Sequence, residues 1–261
     1  MASDIPIYSI SGERAVVSTG GKCPYKCRYC FVRAGGYQLL DNLSIDEIAG
    51  SVRGFPPEVG RIELGLDKDP MHNQQSALEL ISRLAESGKD VSFATKADLT
   101  DETIARLAGI GRAMASEGRY LFTKVSLMGF ETARAYEPNA PDPDRRVDTV
   151  RRLHEAGLPT IIYIKPILPD LPDDEIERVL QATGDFCNAY VAGYFIYDEE
   201  MAKEMGIGLS NEKMVMEWDP SKREWHVYKD PRIKELTKKG NVFAVSREAI
   251  EHVKRLFPLT C

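Results

Sequence analysis

The chain has 261 residues, 43% hydrophobic and 28% charged, which is enough apolar material for the core of a compact domain. Its formal charge of −6 excludes a global basic field that would attract nucleic acid or anionic membranes, although a local basic groove is compatible with that charge. The apolar runs are shorter than the roughly 20 residues of a membrane-spanning helix. Residues 1–10 have no signal-peptide pattern, so we expect a cytoplasmic protein that does not bind membranes.

Hydrophobic patterning alternates between short β-rich runs and longer amphipathic runs. The predicted elements, in chain order, are strand 15–17, helix 45–52, strand 62–64, helix 77–84, strand 91–94, a helix from Thr100, strand 121–127, helix 145–156, strand 160–164, helix 173–182 and strand 190–196. Six alternations with short connections predict parallel strands joined by right-handed crossovers. An open doubly wound sheet and a (β/α) barrel both fit this pattern, and the number of units slightly favours an incomplete barrel.

The alternation ends after Glu199. Residues 213–218 and 224–228 flank a polar stretch and predict a β-hairpin, and residues 246–256 predict a last helix. We therefore expect a barrel domain over residues 1–200 and a C-terminal α+β extension over residues 201–261 that packs on the barrel.

Three of the five cysteines, Cys23, Cys27 and Cys30, lie within eight residues, directly after the first predicted strand. Active sites of parallel folds gather at this end of the strands, and three close thiolates suit a soft metal centre. A structural zinc ion would need a fourth ligand, and the nearest histidine follows a different strand. A [4Fe-4S] cluster held by three cysteines leaves one iron open to a substrate or cofactor. The cluster is the favoured interpretation, with zinc or cysteines that serve only packing as alternatives.

The C-x3-C-x2-C spacing, with Tyr29 directly before the third cysteine, resembles the signature of the radical S-adenosylmethionine (SAM) superfamily. Residues 64–70, 94–98, 125–127, 136–146, 155–157 and 165–169 resemble segments of its spore photoproduct lyase-like branch, and the resemblance spans roughly residues 13–180. It implies a partial (β/α)6 barrel, with Cys23, Cys27 and Cys30 as ligands of a [4Fe-4S] cluster whose open iron binds SAM. It also implies an external one-electron reductant of the flavodoxin or ferredoxin type, because one electron from the reduced cluster cleaves SAM to methionine and a 5'-deoxyadenosyl radical.

The resemblance also implies the cofactor-binding residues. It puts Tyr29 beside the adenine, Asp69, Lys96 and Ser126 near the methionine end of SAM, and Arg146 as a further partner of the carboxylate. An acid suits the ammonium of the methionine moiety, and a cation or hydroxyl suits its carboxylate. The alternatives are a turn residue for Asp69, a solvated lysine for Lys96, a helix cap for Ser126 and an exposed ion pair for Arg146.

Tyr163 and Lys165 define the predicted substrate side. They share one strand face by period-two alternation, opposite Ile162 and Ile164. Because one face of a barrel strand points inward, we expect both as catalytic residues in a polar pocket above the cofactor. The alternative is that Lys165 extends to solvent.

The leading functional hypothesis is a radical SAM enzyme, of the lyase or oxidoreductase type, that abstracts hydrogen from a small molecule such as a nucleoside, sugar or amino-acid derivative. Residues 66–68 lack the hydrogen-donating cysteine of the repair lyase, so identical chemistry is not expected. Nucleic-acid base repair or modification is the second hypothesis. It is not favoured by the acidic charge, although Lys26, Arg28 and Arg33 could form a small basic rim. A non-catalytic iron-sulfur or zinc protein is the third hypothesis.

Overall fold

The computed structural model describes residues 7–34, 43–65, 67–214 and 224–259. Eight strands form a sheet in the order β1-β2-β3-β4-β5-β6-β7-β11, and three form a small sheet in the order β8-β10-β9. The strands are β1 (Tyr8–Ser11), β2 (Arg14–Val17), β3 (Arg61–Leu64), β4 (Asp90–Thr95), β5 (Leu121–Ser126), β6 (Thr160–Ile164), β7 (Ala189–Ala192), β8 (Phe195–Tyr197), β9 (Lys213–Met214), β10 (Trp225–Tyr228) and β11 (Val242–Phe243).

Helices connect the strands. They are α1 (Phe31–Ala34), α2 (Ile45–Val52), α3 (Gln74–Ala85), α4 (Asp101–Ser116), α5 (Glu131–Tyr136), α6 (Pro143–Glu155), α7 (Asp173–Thr183), α8 (Glu199–Met205), α9 (Arg232–Leu236) and α10 (Ser246–Leu256), with 3-10 turns at Pro70–His72 and Thr237–Lys239. Ser44 forms the predicted capping box with Glu47 at the start of α2, and the side chain of Thr100 caps α4. Across the described ranges, no helix combines the length and the apolar character that crossing a membrane requires.

Strands β2 to β7 are parallel and neighbour one another in chain order, with β11 parallel to β7 and β1 antiparallel to β2. A doubly wound sheet reverses its strand order at a switch point, whereas a barrel keeps it. The sequential order therefore confirms the predicted α/β class and the partial (β/α)6 barrel.

The two faces of the sheet are covered by different helices. Ile162 and Ile164 of β6 belong to the main core, together with apolar residues of the crossover helices α6 and α7. Ile161 and Tyr163 point to the other face and pack with Ala249, Ile250 and Val253 of α10. Crossover helices surround a barrel on its outside. It follows that the C-terminal helix covers the inner face of the sheet.

Two features differ from the sequence-based expectation. The predicted strand 190–196 is two strands in two sheets, because the chain turns away after β7 at Gly193 and pairs again as β8 with β10. The short strands β1 and β11 carry too few residues to give a periodic signal. The described part of the predicted hairpin pairs Met214 with Trp225, and residues 215–223 lie outside the described residues.

Candidate functional site

A cavity of about 490 Å³ opens at the carboxyl ends of the parallel strands. Eight of the ten residues that the sequence predicts as site residues contribute to its wall: Cys23, Cys27, Tyr29, Cys30, Asp69, Lys96, Ser126 and Lys165. They follow β2, β3, β4, β5 and β6 in turn, so the barrel topology brings together side chains that are far apart in sequence. Arg146 and Tyr163 lie behind this wall.

The three cysteines lie on the loop that follows β2. The backbone N–H of Arg28 donates to the carbonyl of Tyr136 over 2.9 Å, and Asn139 Nδ2 donates to the carbonyl of Pro24 over 3.0 Å, so the segment after α5 anchors this loop. Cys27 is buried and Cys23 and Cys30 are half-buried. Burial raises the pKa of the Cys27 thiol to about 11, although the nearby Lys96 opposes the shift. Stable thiolates here need the positive charge of a bound metal.

The cysteine geometry fits a cluster. Among the described residues, no group of three or more His, Cys, Asp or Glu side chains could hold one metal ion. A [4Fe-4S] cube binds each cysteine through a different iron, so its ligands do not have to meet at one point. Cys23, Cys27 and Cys30 on the cavity wall would hold such a cluster, which would supply one-electron chemistry there.

Asp67 ties the loop after β2 to the loop after β3. Ser18 Oγ donates to Asp67 Oδ2 over 2.6 Å, and the backbone N–H of Thr19 donates to Oδ1 over 3.0 Å. The carboxylate also accepts from its neighbour's backbone N–H, at Lys68. The sequence analysis did not single out Asp67, although it lies in a segment that carries the family resemblance.

Asp69 joins the ends of β3 and β4. Its carboxylate accepts hydrogen bonds from Thr95 Oγ1 at 2.7 Å, from the backbone N–H of Lys96 at 2.6 Å and from that of Met71 at 3.0 Å. Burial raises the pKa of Asp69, while these hydrogen bonds partly oppose the shift. Asp69 therefore caps the 3-10 turn, as the turn interpretation expected, and its carboxylate also lines the cavity.

Glu137 is a buried carboxylate that the sequence analysis missed. It accepts a hydrogen bond from the Tyr29 hydroxyl, lies 3.9 Å from Lys96 Nζ and forms an ion pair with the Arg146 guanidinium. The Lys96 ammonium also lies 5.8 Å from the centre of the Tyr29 ring. Burial alone would lower the pKa of Lys96, but Glu137 and the Cys27 thiol outweigh that effect and raise it. Glu137 thereby contacts three side chains of the predicted cofactor site.

Arg146 is buried behind the cavity wall and binds residues that form it. It is 1% exposed, because α6 turns this side chain inward, so the alternative of an exposed ion pair is wrong. Its Nε donates to the carbonyl of Pro141 over 2.8 Å, and its NH1 donates to the carbonyl of Ser126 over 3.2 Å. Its guanidinium thus binds groups of the protein itself, and its contact with the SAM carboxylate stays a prediction.

Tyr163 and Lys165 share the inner face of β6 but differ in depth. Lys165 lines the cavity, whereas Tyr163 lies deeper, with Lys124 Nζ 5.4 Å and Lys165 Nζ 5.1 Å from the centre of its ring. The Tyr163 hydroxyl is hydrogen bonded to Ser246 at the start of α10. The pKa of Lys165 is lowered to about 8, mainly by burial; Glu63 opposes the shift, and Lys124 and Arg14 contribute to it.

The chain is similar to known proteins in sequence and in fold. The model of the radical SAM superfamily matches residues 17–183. An uncharacterized protein of Methanocaldococcus jannaschii is 25% identical over 198 residues, which cover 69% of this chain and 70% of the relative. An uncharacterized protein of Mycobacterium tuberculosis is 25% identical over 207 residues, covering 73% of this chain and 58% of the relative.

Two solved folds are similar. A spore photoproduct lyase mutant with dinucleoside spore photoproduct has a TM-score of 0.63 at 16% identity, covering 92% of this chain and 72% of the other. SuiB of Streptococcus suis bound to SAM has a TM-score of 0.57 at 12% identity, covering 95% of this chain and 48% of the other. At these identities the likeness concerns the fold alone. The family match, which covers more than half of the chain, shows that the chain belongs to the radical SAM superfamily and uses its two cofactors, a [4Fe-4S] cluster and SAM.

Proposed function

We propose that this protein binds a [4Fe-4S] cluster through Cys23, Cys27 and Cys30 and abstracts hydrogen from a small molecule held in the same cavity. The observation that carries the proposal is that one cavity of about 490 Å³ has all three cysteines and Lys165 in its wall. A volume of that size is typical of small-molecule sites. When bound, the reduced cluster supplies the electron that cleaves SAM to methionine and a 5'-deoxyadenosyl radical.

The residues after β2 to β5 form the cofactor side of this proposal. Tyr29 and Lys96 are held by Glu137, so their side chains are oriented before SAM arrives. Asp69 is the acid available to the methionine ammonium, and the half-buried Ser126 lies on the same wall. Arg146 is a positioning residue in this proposal, because its guanidinium holds Glu137 and the carbonyl of Ser126.

The residues after β6, β7 and β11 form the substrate side. Lys165, Gly193, Tyr194 and Ala244 line this part of the cavity. The barrel edge thus divides into a half with the cysteine loop and a half without it. A substrate in the second half would share the cavity with SAM, and the barrel and α10 would exclude water from the space between them.

A small-molecule substrate is favoured over nucleic acid because the net charge is −6 and the substrate half offers one lysine, Lys165, to phosphates. The observation on the side of a nucleic-acid substrate is the fold similarity to the spore photoproduct lyase mutant, whose structure contains a dinucleoside spore photoproduct. Salt-dependent binding of duplex DNA by the reconstituted enzyme would instead support a nucleic-acid substrate.

The experiment is an anaerobic assay of the reconstituted protein with SAM and a chemical reductant. We expect 5'-deoxyadenosine from the wild type and none from Cys27→Ala. The Lys165→Met variant should keep slow formation of 5'-deoxyadenosine without substrate, because the cofactor side lies on other strands. Absence of 5'-deoxyadenosine from a wild-type protein that holds four irons would refute the proposed function.

A further inference from the structure

Lys165 is a cation on the cavity wall without a carboxylate partner among the described residues. Two other lysines of this region are paired: Lys96 lies 3.9 Å from Glu137, and Lys124 lies 2.9 Å from Glu63. A third, Lys68, lines the cavity after β3, on the cofactor side. The Lys165 ammonium lies 5.1 Å from the centre of the Tyr163 ring. Glu63 acts on Lys165 from beyond salt-bridge distance and is itself paired with Lys124. Removing a cation from bulk water without a directly paired counter-charge costs free energy, which a bound anion would offset.

Gly193 has no side chain, and this leaves the room that the side chain of Lys165 occupies beside the cavity. A Cβ at position 193 would lie 2.1 Å from Cε, 2.4 Å from Cγ and 2.6 Å from Cδ of Lys165, far inside contact distance. The clash would involve the whole stem of the lysine, so a rotation of its tip would not relieve it. The requirement for glycine here comes from this close approach.

The backbones on both sides of this contact are fixed. Gly193 N–H donates to the carbonyl of Ile164 over 3.2 Å, and Ile167 N–H donates to the carbonyl of Gly193 over 2.9 Å. The end of β7 therefore cannot move away from the end of β6 without losing both hydrogen bonds. A side chain at position 193 would displace Lys165 and leave the strands in place.

We infer that the substrate carries a carboxylate or phosphate group, and that Lys165 binds this anion from a position that Gly193 makes available. The inference rests on the proposed function, since it assigns the second half of the cavity to the substrate. Tyr194 and Phe195 line the same half, so the anionic group would be attached to a part that packs against aromatic rings. Gly193 acts here as a positioning residue through Lys165.

The test measures the reactivity of Lys165 towards trace acetic anhydride in the anaerobically reconstituted protein with SAM bound. Peptide mass spectrometry gives the acetylation rate of each lysine. Phosphate and malonate are the two anionic probes and glycerol is the neutral control. We expect one of the anions to slow acetylation of Lys165 roughly tenfold, the size of one charge-assisted contact, and the exposed Lys238 to be unaffected. The more effective probe distinguishes a phosphate from a carboxylate group.

Two glycine variants test the positioning role. Gly193→Ala should lose the protection by anions, whereas Gly109→Ala should keep it, because a Cβ at position 109 of α4 meets no heavy atom within 4 Å. If Gly193→Ala does not fold, the melting temperatures of the wild type and of Lys165→Met are measured instead. The more effective anion should raise the melting temperature of the wild type and leave that of Lys165→Met unchanged. Protection retained in Gly193→Ala, or an equal rise in Lys165→Met, would overturn the inference.

Further outcomes separate this inference from the proposed function. Lys165 that is insensitive to both anions, or equally protected by glycerol, overturns the anion site even when 5'-deoxyadenosine forms. Protection of Lys165 by SAM alone overturns it too, because the ammonium would then serve the cofactor. Anion protection in a reconstituted protein that forms no 5'-deoxyadenosine overturns the proposed function and, with it, the identification of the anion as part of a substrate.

Discussion

Lys124 Nζ lies 2.9 Å from Glu63 Oε1, and this ion pair is buried on the inner face of the barrel. Arg14 also approaches Glu63, at 3.6 Å, and Arg61 is buried nearby. Burial alone would raise the pKa of Glu63, but Lys124 and the two arginines hold it below its usual value. Glu63 is thus a shared counter-charge for Lys124 and the two arginines. The two members of the Glu63–Lys124 pair are therefore not equivalent, because Glu63 has further partners of opposite charge.

Replacing Glu63 should therefore cost more than replacing Lys124. Glu63→Gln leaves Lys124 buried among cations, and we expect a loss of about 3–5 kcal/mol in the free energy of unfolding. Lys124→Met leaves Glu63 beside Arg14, so its loss should be smaller. Urea unfolding measures both, and Glu63→Gln should also lower the pKa of Lys165 further, because Glu63 is the group that raises it. Equal losses in the two variants would contradict this asymmetry.

The parts of the site that the sequence predicted are those with a local signal. The three cysteines lie within eight residues of one another. Asp69, Lys96 and Ser126 each lie at or shortly after the end of a strand that periodicity predicts. Parallel strands bring such positions to one edge whatever the detailed packing. This is why eight of the ten predicted residues share one cavity wall.

The features of the site that the sequence does not predict depend on contacts between segments that are distant along the chain. Glu137 meets Tyr29 across 108 positions of the chain, and period-two alternation gives no sign of such a pairing. The alternation correctly put Tyr163 on the inner face, but it could not show that α10 covers that face at this depth. For the same reason the sequence predicts one continuous strand through Gly193, since the neighbouring Lys165 stem is visible only in three dimensions.

Lys96→Met should weaken SAM binding while the cluster still assembles. The methionine side chain keeps the apolar stem but removes the ammonium from the cavity wall, so we expect roughly a tenfold loss of affinity. Equilibrium binding of SAM and the iron content of the same sample give the two readouts. Lys238→Met, at an exposed position, is the matched control. Unchanged SAM affinity would show that Lys96 serves only to hold Glu137 and Tyr29.

Alanine at any one of Cys23, Cys27 or Cys30 should prevent stable assembly of the cluster. The wild type should hold about four irons per chain after anaerobic reconstitution. Cys187→Ala is the matched control, because Cys187 is buried beside β7 and donates to the carbonyl of Ala189. Iron and sulfide analysis checks the result. A colourless wild-type protein with one tightly bound zinc ion would support the zinc alternative.

Tyr163→Phe should retain activity. The variant loses the hydrogen bond to Ser246, worth about 1 kcal/mol of stability, but keeps its ring near Lys124 and Lys165. Ser246→Ala removes the same bond from the other side and should cost a similar amount. Urea unfolding and substrate turnover, once a substrate is known, are the measurements. Loss of turnover in Tyr163→Phe with normal stability would establish the hydroxyl as catalytic, as the sequence first indicated.

Anion binding at Lys165 should weaken as the pH rises through about 8. Only the protonated ammonium attracts an anion, and burial has lowered the pKa of this lysine to about 8, with Lys124 and Arg14 in the same direction and Glu63 opposing them. Below that pH the lysine is charged and binding is strong; above it the lysine is neutral and binding fades.

The apparent affinity for the more effective anion, measured by protection from acetylation, should therefore fall between pH 7 and pH 9, and each further unit above the pKa should lower it about tenfold. The anion itself stabilises the ammonium, so the pKa of Lys165 should be higher in the complex than in the free protein. An ordinary exposed lysine titrates near pH 10.4 and would leave the affinity constant over this range. A flat profile up to pH 9 would therefore mean that Lys165 does not bind the anion from its half-buried position.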